Sequence, residues 1–248
     1  MILLTVAIAP ERIERGEHIA YSMCAACPTV DGEFPLNGGT NLLEDIPMPL
    51  GAATPPNLTP SDRIADWSDD ELMRAIREGT NPSGHRLAVM SSQNFGLMAR
   101  EDLESIIAYL RTQPEVEFTT KPKQSLTPLS MVFVTIGFFP LKPLVGAGFP
   151  TVAPVGPTVE YGEYLAGYID CVLCHGEGLP GGTNPIGPPG PSLGHVAGWA
   201  TEQFVTTLRT GVNPNGEALD PDEMPWEYFG RLNDEGLTAV YGYAKSVV

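Results

Sequence analysis

Cys171-Val172-Leu173-Cys174-His175 is the stretch whose reading decides the fold. Its two thiols stand three positions apart, so a helical turn projects them to one side, and an imidazole follows directly. The only other cysteines are Cys24 and Cys27, again as Cys-x-x-Cys. Scattered disulfides would rarely place all four cysteines in two such pairs.

Cys-x-x-Cys-His is the attachment sequence of c-type haem. Cys171 and Cys174 would form thioethers to the two vinyl groups, and His175 would lie under the iron. A second axial ligand is then needed, and methionine gives a high-potential electron-transfer pair. Residues 152–248 contain a single methionine, Met224, in Glu223-Met224-Pro225-Trp226. A lone methionine is ordinarily core filler, but this one follows an intact haem motif and matches Met90 of the first half. Zinc shared by the two Cys-x-x-Cys pairs would require ligands from separate repeats. A thioredoxin-like pair would need a βαβ pattern, and strand-like alternation is scarce.

Outward from the motif, the chain repeats itself. Residues 15–20 (RGEHIA) precede Cys24 as 161–166 (YGEYLA) precede Cys171. Residues 67–79 (WSDDELMRAIREG) align with 199–211 (WATEQFVTTLRTG), and Asn81-Pro82-Ser83-Gly84 aligns with Asn213-Pro214-Asn215-Gly216. Ser68 and Glu71 form a capping-box signature, and Gly79 and Gly211 stand where a helix ends in a left-handed residue. Leu72, Ile76 and Leu208 are spaced to face inward. Each half closes on a helix, with apolar stripes Leu103, Ile106, Ile107, Leu110 and Leu237, Val240, Tyr241, Ala244. The repeats predict two domains, 10–118 and 152–248, joined by residues 119–151.

On these motifs the chain resembles the diheme class I cytochromes c, and is similar to cytochrome subunits of membrane-bound dehydrogenases and respiratory complexes. The resemblance covers both halves and not the middle segment. It implies an all-α fold of two cytochrome c domains with long Pro/Gly-rich loops and an apolar linker. It also implies a loop, here 188–193 with Pro189 and Leu193, whose backbone carbonyl accepts the proton of His175, and aromatics against the haem, here Trp199 and Tyr243. The corresponding first-half positions are the loop 54–58, with Leu58, and Trp67. The first half departs from the pattern at Cys24-Ala25-Ala26-Cys27-Pro28, because proline cannot replace the proximal histidine. Three readings stand there: a haem on Cys24 and Cys27 with Met90 as one ligand, a haem-free domain, or a variant in the sequence. His85 lies five residues before Met90, and His18 matches Tyr164, so neither replaces the histidine readily. One haem c is expected, with a second in the first half.

The charge bounds the partners. Net charge is −16, with 14 basic and 30 acidic residues, so nucleic acid is not an expected partner. The surplus lies in two acidic blocks, net −10 over 1–118 and −9 over 152–248, flanking a middle of net +3 over 119–151. Acidic domains suit redox proteins with a basic docking surface. The apolar run at 1–9 is too short to span a bilayer, as is the apolar stretch 128–141. The first is read as the remnant of a membrane anchor or an apolar arm. The second is read as linker or as a surface for membrane or a partner subunit, with Lys121, Lys123 and Lys142 around it. The expected function is single-electron transfer, extracytoplasmic or periplasmic, as a subunit of a membrane-associated respiratory or photosynthetic complex, without independent catalysis. The alternatives are an enzyme or ligand sensor with an open haem iron in the first half, and a monohaem cytochrome with a structural first domain.

Overall fold

The structure is a computed structural model and describes residues 4–25, 35–44, 46–61, 63–87, 89–90, 94–116, 124–136, 146, 148–182 and 189–247. The chain is helix-rich. It divides into two compact units, one of Met1–Ala20 with Cys24–Phe149, the other of Tyr21–Met23 with Pro150–Val248.

In the first unit α1 (Pro10–Ile19) opens on Pro10, where a missing N–H costs nothing. It continues as a π-type turn, Ala20–Cys24, that carries Cys24 at its end. The short α2 (Arg63–Asp66) leads into α3 (Asp69–Glu78). The expected capping box is present: Ser68 N–H donates to Glu71 Oε2 at 2.8 Å, and Glu71 N–H donates to Ser68 Oγ. These bonds from Ser68 hold the Glu71 carboxyl below its ordinary value. Gly79 ends the helix at φ 60°. A turn of 3₁₀-helix, Asn94–Leu97, precedes α4 (Arg100–Thr112), whose predicted stripe Leu103, Ile106, Ile107 and Leu110 is buried.

Helix α1 crosses α4 at Gly16. A Cβ there would overlap the Ser105 carbonyl and come within 2.9 Å of Tyr109 Cβ, so only glycine permits the approach. Arg15 and the fully buried Asp102 form an ion pair beside the crossing, and Arg12 meets Glu104 at 3.1 Å. Residues 4–9, part of the apolar N-terminal run, form an extended arm. Leu4 N–H donates to Asp70 and Val6 N–H to Asp69, both at 2.8 Å, at the first turn of α3.

The middle segment adds one small sheet to the helical framework. Strand β1 (Gly51–Ala53) pairs antiparallel with β2 (Gln124–Leu126), Gly51 opposite Leu126. Three-residue strands carry no readable alternation, so the sequence gives no signal for this sheet. Helix α5 (Pro128–Thr135) follows, capped by Thr127. Thr127 Oγ1 donates to the Pro49 carbonyl at 2.7 Å, and Ser130 Oγ donates to that of Leu50. Further on, Arg77 donates to the carbonyls of Gly146 and Gly148, and the Phe149 ring lies 4.2 Å from the Arg77 guanidinium and 4.6 Å from that of Arg100. The described parts of 119–149 are thus built into the first unit.

The second unit repeats the plan. Helix α6 (Val159–Tyr168) crosses the closing helix α10 (Asp234–Ser246) at Gly162, where a Cβ would overlap the Ala239 carbonyl and stand 3.0 Å from Tyr243 Cβ. Between them lie α7 (Cys171–His175), α8 (Thr201–Thr210) and α9 (Trp226–Phe229). Gly211 ends α8 at φ 68°. Beyond each of the two glycine caps the chain makes the same tight turn. Gly84 N–H donates to the Asn81 carbonyl and Gly216 N–H to that of Asn213, both at 2.9 Å. Isolated bridges Thr80–Arg86 and Val212–Ala218 close these turns. No helix among the described residues is long and apolar enough to cross a membrane.

Candidate haem site

The attachment motif occupies one short helix, α7, entered through Asp170 at φ 63°. A left-handed Asp is uncommon, and here it turns the chain sharply from α6 into the motif. Gly176 N–H donates to the Val172 carbonyl at 3.0 Å, closing the turn. Cys171, Cys174 and His175 all line one cavity of about 250 Å³, as the three-residue spacing of the thiols requires.

His175 is buried, with its Nδ1 2.8 Å from the carbonyl oxygen of Pro191. A carbonyl only accepts, so Nδ1 carries the proton and Nε2 keeps its lone pair for a metal. The loop that supplies this carbonyl is laced to the motif. Gly190 N–H donates to the Cys174 carbonyl at 2.9 Å, Gly181 N–H to that of His175 at 2.8 Å, and Leu193 N–H to that of Leu179 at 3.0 Å. At Gly190 a Cβ would lie 2.7 Å from the Cys174 carbonyl and 2.9 Å from His175 Nδ1. Leu179 is buried at φ 59°, a strained position for a branched side chain, held by its bonds to Gly176 and Leu193.

Met224 reaches the same cavity from the loop between α8 and α9. Its N–H donates to the Asp220 carbonyl at 2.8 Å, and its own carbonyl accepts from Trp226 N–H at 2.6 Å, so the loop is fixed on both sides. The remaining wall is largely apolar, from Ile169, Leu179, Val196, Phe204, Leu208, Phe229, Leu232, Leu237 and Val240, with Asp220, Glu223 and His195 as polar members. Burial pushes the Cys171 thiol up to about 12, with smaller contributions from Asp170 and Cys174. One imidazole and one methionine are the donor set of a high-potential haem iron. The residues present fit a haem c.

Of the expected contacts, Pro189, Leu193 and Trp199 line the cavity. Trp199 is held by Tyr241, whose hydroxyl donates to its carbonyl, and His195 meets its ring edge-on at 5.5 Å. Tyr243 stands at the α6–α10 crossing, with its Cβ beside Gly162 and its phenol within the electrostatic reach of Cys171 and the Gly178 backbone. Burial, then Glu163 and Glu177, raise its phenol above the ordinary value. Sequence reading missed Phe204, whose spacing with Leu208 marks one helix face, and the acids Asp220 and Glu223 close before Met224. In the first unit Cys24, Leu58, Trp67 and Met90 are half-buried, while Cys27 and Pro28 lie outside the described residues, as does Pro188.

No protein-family model matches the chain. It is similar to the gluconate 2-dehydrogenase cytochrome c subunit of Pantoea cypripedii, 27% identical over 270 aligned positions, which cover 95% of this chain and 59% of that subunit. It is also similar to the fructose dehydrogenase cytochrome subunit of Gluconobacter japonicus, 34% identical over 106 positions, 37% of this chain and 22% of that subunit. The cytochrome c subunit of the quinone alcohol dehydrogenase of Gluconobacter oxydans is 32% identical over 99 positions, 34% of this chain and 20% of that subunit. The chain therefore spans 59% of the first relative's length and about a fifth of the other two. All three relatives are cytochrome subunits of dehydrogenases, and the chain is a homologue of these subunits.

Proposed function

We propose that this chain relays single electrons as the cytochrome subunit of a membrane-associated dehydrogenase, through a haem c on Cys171 and Cys174 with His175 and Met224 as axial ligands. One observation carries the reading: Cys171, Cys174, His175 and Met224, up to 53 positions apart in sequence, line a single cavity. The relatives suggest a donor enzyme that oxidises an alcohol, a sugar or a sugar acid.

The haem, when bound, supplies the one-electron change at iron. The chain's own residues do the rest. Pro191 fixes the tautomer and orientation of His175. The apolar wall from Phe204, Leu208, Leu237 and Val240 keeps water from the site, and a low-dielectric surrounding tunes the potential. Asp220 and Glu223 set negative charge beside Met224, where a basic partner surface would dock in a salt-dependent encounter. We assign the haem-bearing unit to a cytochrome c domain beginning near residue 152 and an extracytoplasmic location, where such attachment takes place.

A second haem, on Cys24 and Cys27 with Met90, is the companion reading. It is favoured by the half-buried Cys24 at the end of α1's extension and by Met90 at the place of Met224 in the repeated framework. Intact mass of the protein made in a haem-attaching host tests both. One added haem that disappears in Cys171→Ala/Cys174→Ala supports the second-unit site alone. Two added haems support both. No added haem overturns the proposal.

A further inference from the structure

We infer that α5 is a lipid-docking wedge that seats the first unit on an anionic bilayer surface. This goes beyond the electron-transfer reading and does not depend on the haem. The helix reads Pro-Leu-Ser-Met-Val-Phe-Val-Thr, and of its eight residues only Ser130 is buried. Leu129 is 37% exposed, Met131 and Val132 53%, and Ile136 just beyond the helix 67%. At 100° per residue, Leu129, Val132 and Ile136 share one side and Met131 lies nearly opposite. Apolar surface therefore stands out on more than one side. A groove on a folded partner receives one face of a helix, whereas acyl chains close around a protruding apolar element from all sides.

The wedge is held firmly to its unit. Thr127 caps it and donates to the Pro49 carbonyl, Thr127 N–H donates to that of Leu50 at 3.2 Å, Ser130 donates to the same carbonyl, and β2 ties its approach to β1. Rigid attachment means that little ordering entropy is lost on docking.

Charge favours lipid over a second protein. Residues 118–159 contain no Asp or Glu and three lysines, 121, 123 and 142, in a chain of net charge −16. In sequence, the stretch free of carboxylates is the part of this acidic chain least repelled by an anionic surface, and each lysine brought to such a surface strengthens partitioning about fivefold.

The test uses the full-length haem-loaded protein and sedimentation with vesicles of phosphatidylcholine, with or without phosphatidylglycerol. Wild type is expected to pellet with phosphatidylglycerol vesicles and at least tenfold less with phosphatidylcholine alone. Met131→Glu/Val132→Glu is expected to lower that partitioning at least tenfold, and a Lys121/Lys123/Lys142→Gln triple variant to lower it and remove its salt dependence. Both variants alter exposed or sequence-flanking positions, and unchanged haem absorption and melting temperature will show that they fold. Met131→Trp should shift its fluorescence to the blue on addition of phosphatidylglycerol vesicles. Absence of vesicle binding, binding unchanged in the glutamate variant, or an unshifted Trp emission overturns the inference. Self-association without lipid that the glutamate variant abolishes overturns it too, in favour of a second copy as the occupant.

Discussion

The Nδ1 of His175 and the carbonyl oxygen of Pro191 lie 2.8 Å apart across sixteen positions of sequence, and Gly190 is the residue that lets them meet. Gly190→Ala would press a methyl onto the Cys174 carbonyl and onto His175 Nδ1. Loss of a bond that orients a metal-ligating histidine costs roughly tenfold or more in affinity or activity. The covalently haem-loaded fraction, read as haem stain against total protein, is expected to fall about that far. Pro191→Ala keeps the carbonyl and should stay near wild type. Equal loading of both variants would remove the orienting role.

Met224 is the second test of the site. Replacing thioether sulfur by a second imidazole withdraws stabilisation from reduced iron. Met224→His is expected to lower the midpoint potential by on the order of 0.1 V or more, within the ~0.8 V that axial ligands span. Potentiometric titration followed by absorbance reads it. A potential equal to that of wild type would exclude Met224 as a ligand.

The helix crossing of the second unit gives a stability prediction. Gly162→Ala sets a Cβ onto the Ala239 carbonyl, which α6 can relieve only by moving away from α10. Overpacking of this kind costs about 1–3 kcal/mol and more where backbone must shift. A Cβ at Gly198 would meet nothing within 4 Å, so Gly198→Ala serves as the control and should change stability little. Denaturant midpoints of the haem-loaded proteins separate the two.

A pH effect follows from the Ser68–Glu71 box. The Glu71 carboxyl lies below its ordinary 4.5 in the folded chain, because Ser68 donates to the carboxylate. Its contribution is therefore complete above about 4.5 and is lost as pH falls through the folded-state value. Glu71→Gln keeps polar atoms but does not titrate. The variant is expected to be less stable than wild type at neutral pH, with the difference closing in acid. Unfolding midpoints at pH 7 and at about pH 3.5 measure this.

How much of this was legible beforehand varies by residue. The capping box, the two glycine caps and the buried stripes of α4 and α10 follow from spacing alone, because each is a local pattern whose partner lies within a turn or two. Cys171, Cys174, His175 and Met224 were expected together, and the cavity brings them together. Spacing says that Tyr243 faces inward but not whether it meets the cavity or α6. The β1–β2 pair was invisible, because strands of three residues show no period and their partners lie more than seventy positions apart. Arg77 shows a further limit. Its counterpart Arg209 pairs with Asp234 at 2.9 Å, but Arg100 stands at that place in the first unit, ten residues after the methionine in each case. The guanidinium turns instead to two glycine carbonyls and the Phe149 ring. A repeat predicts position, and one changed charge redirects the contact.

The glycine crossing of α6 and α10 also bears on the order in which the second unit matures. Helix α10 begins 63 residues after Cys171, so the segment that carries the thiols and His175 is separate in sequence from the helix that closes the cavity over them. Leu237 and Val240, both cavity-lining, arrive with that last helix. Before α10 docks, the attachment segment is complete while two walls are absent, and the open cavity admits a large, flat cofactor to the two thiols. Docking of α10 then ends access and traps the product, so a loaded cofactor favours closure and closure shelters the cofactor.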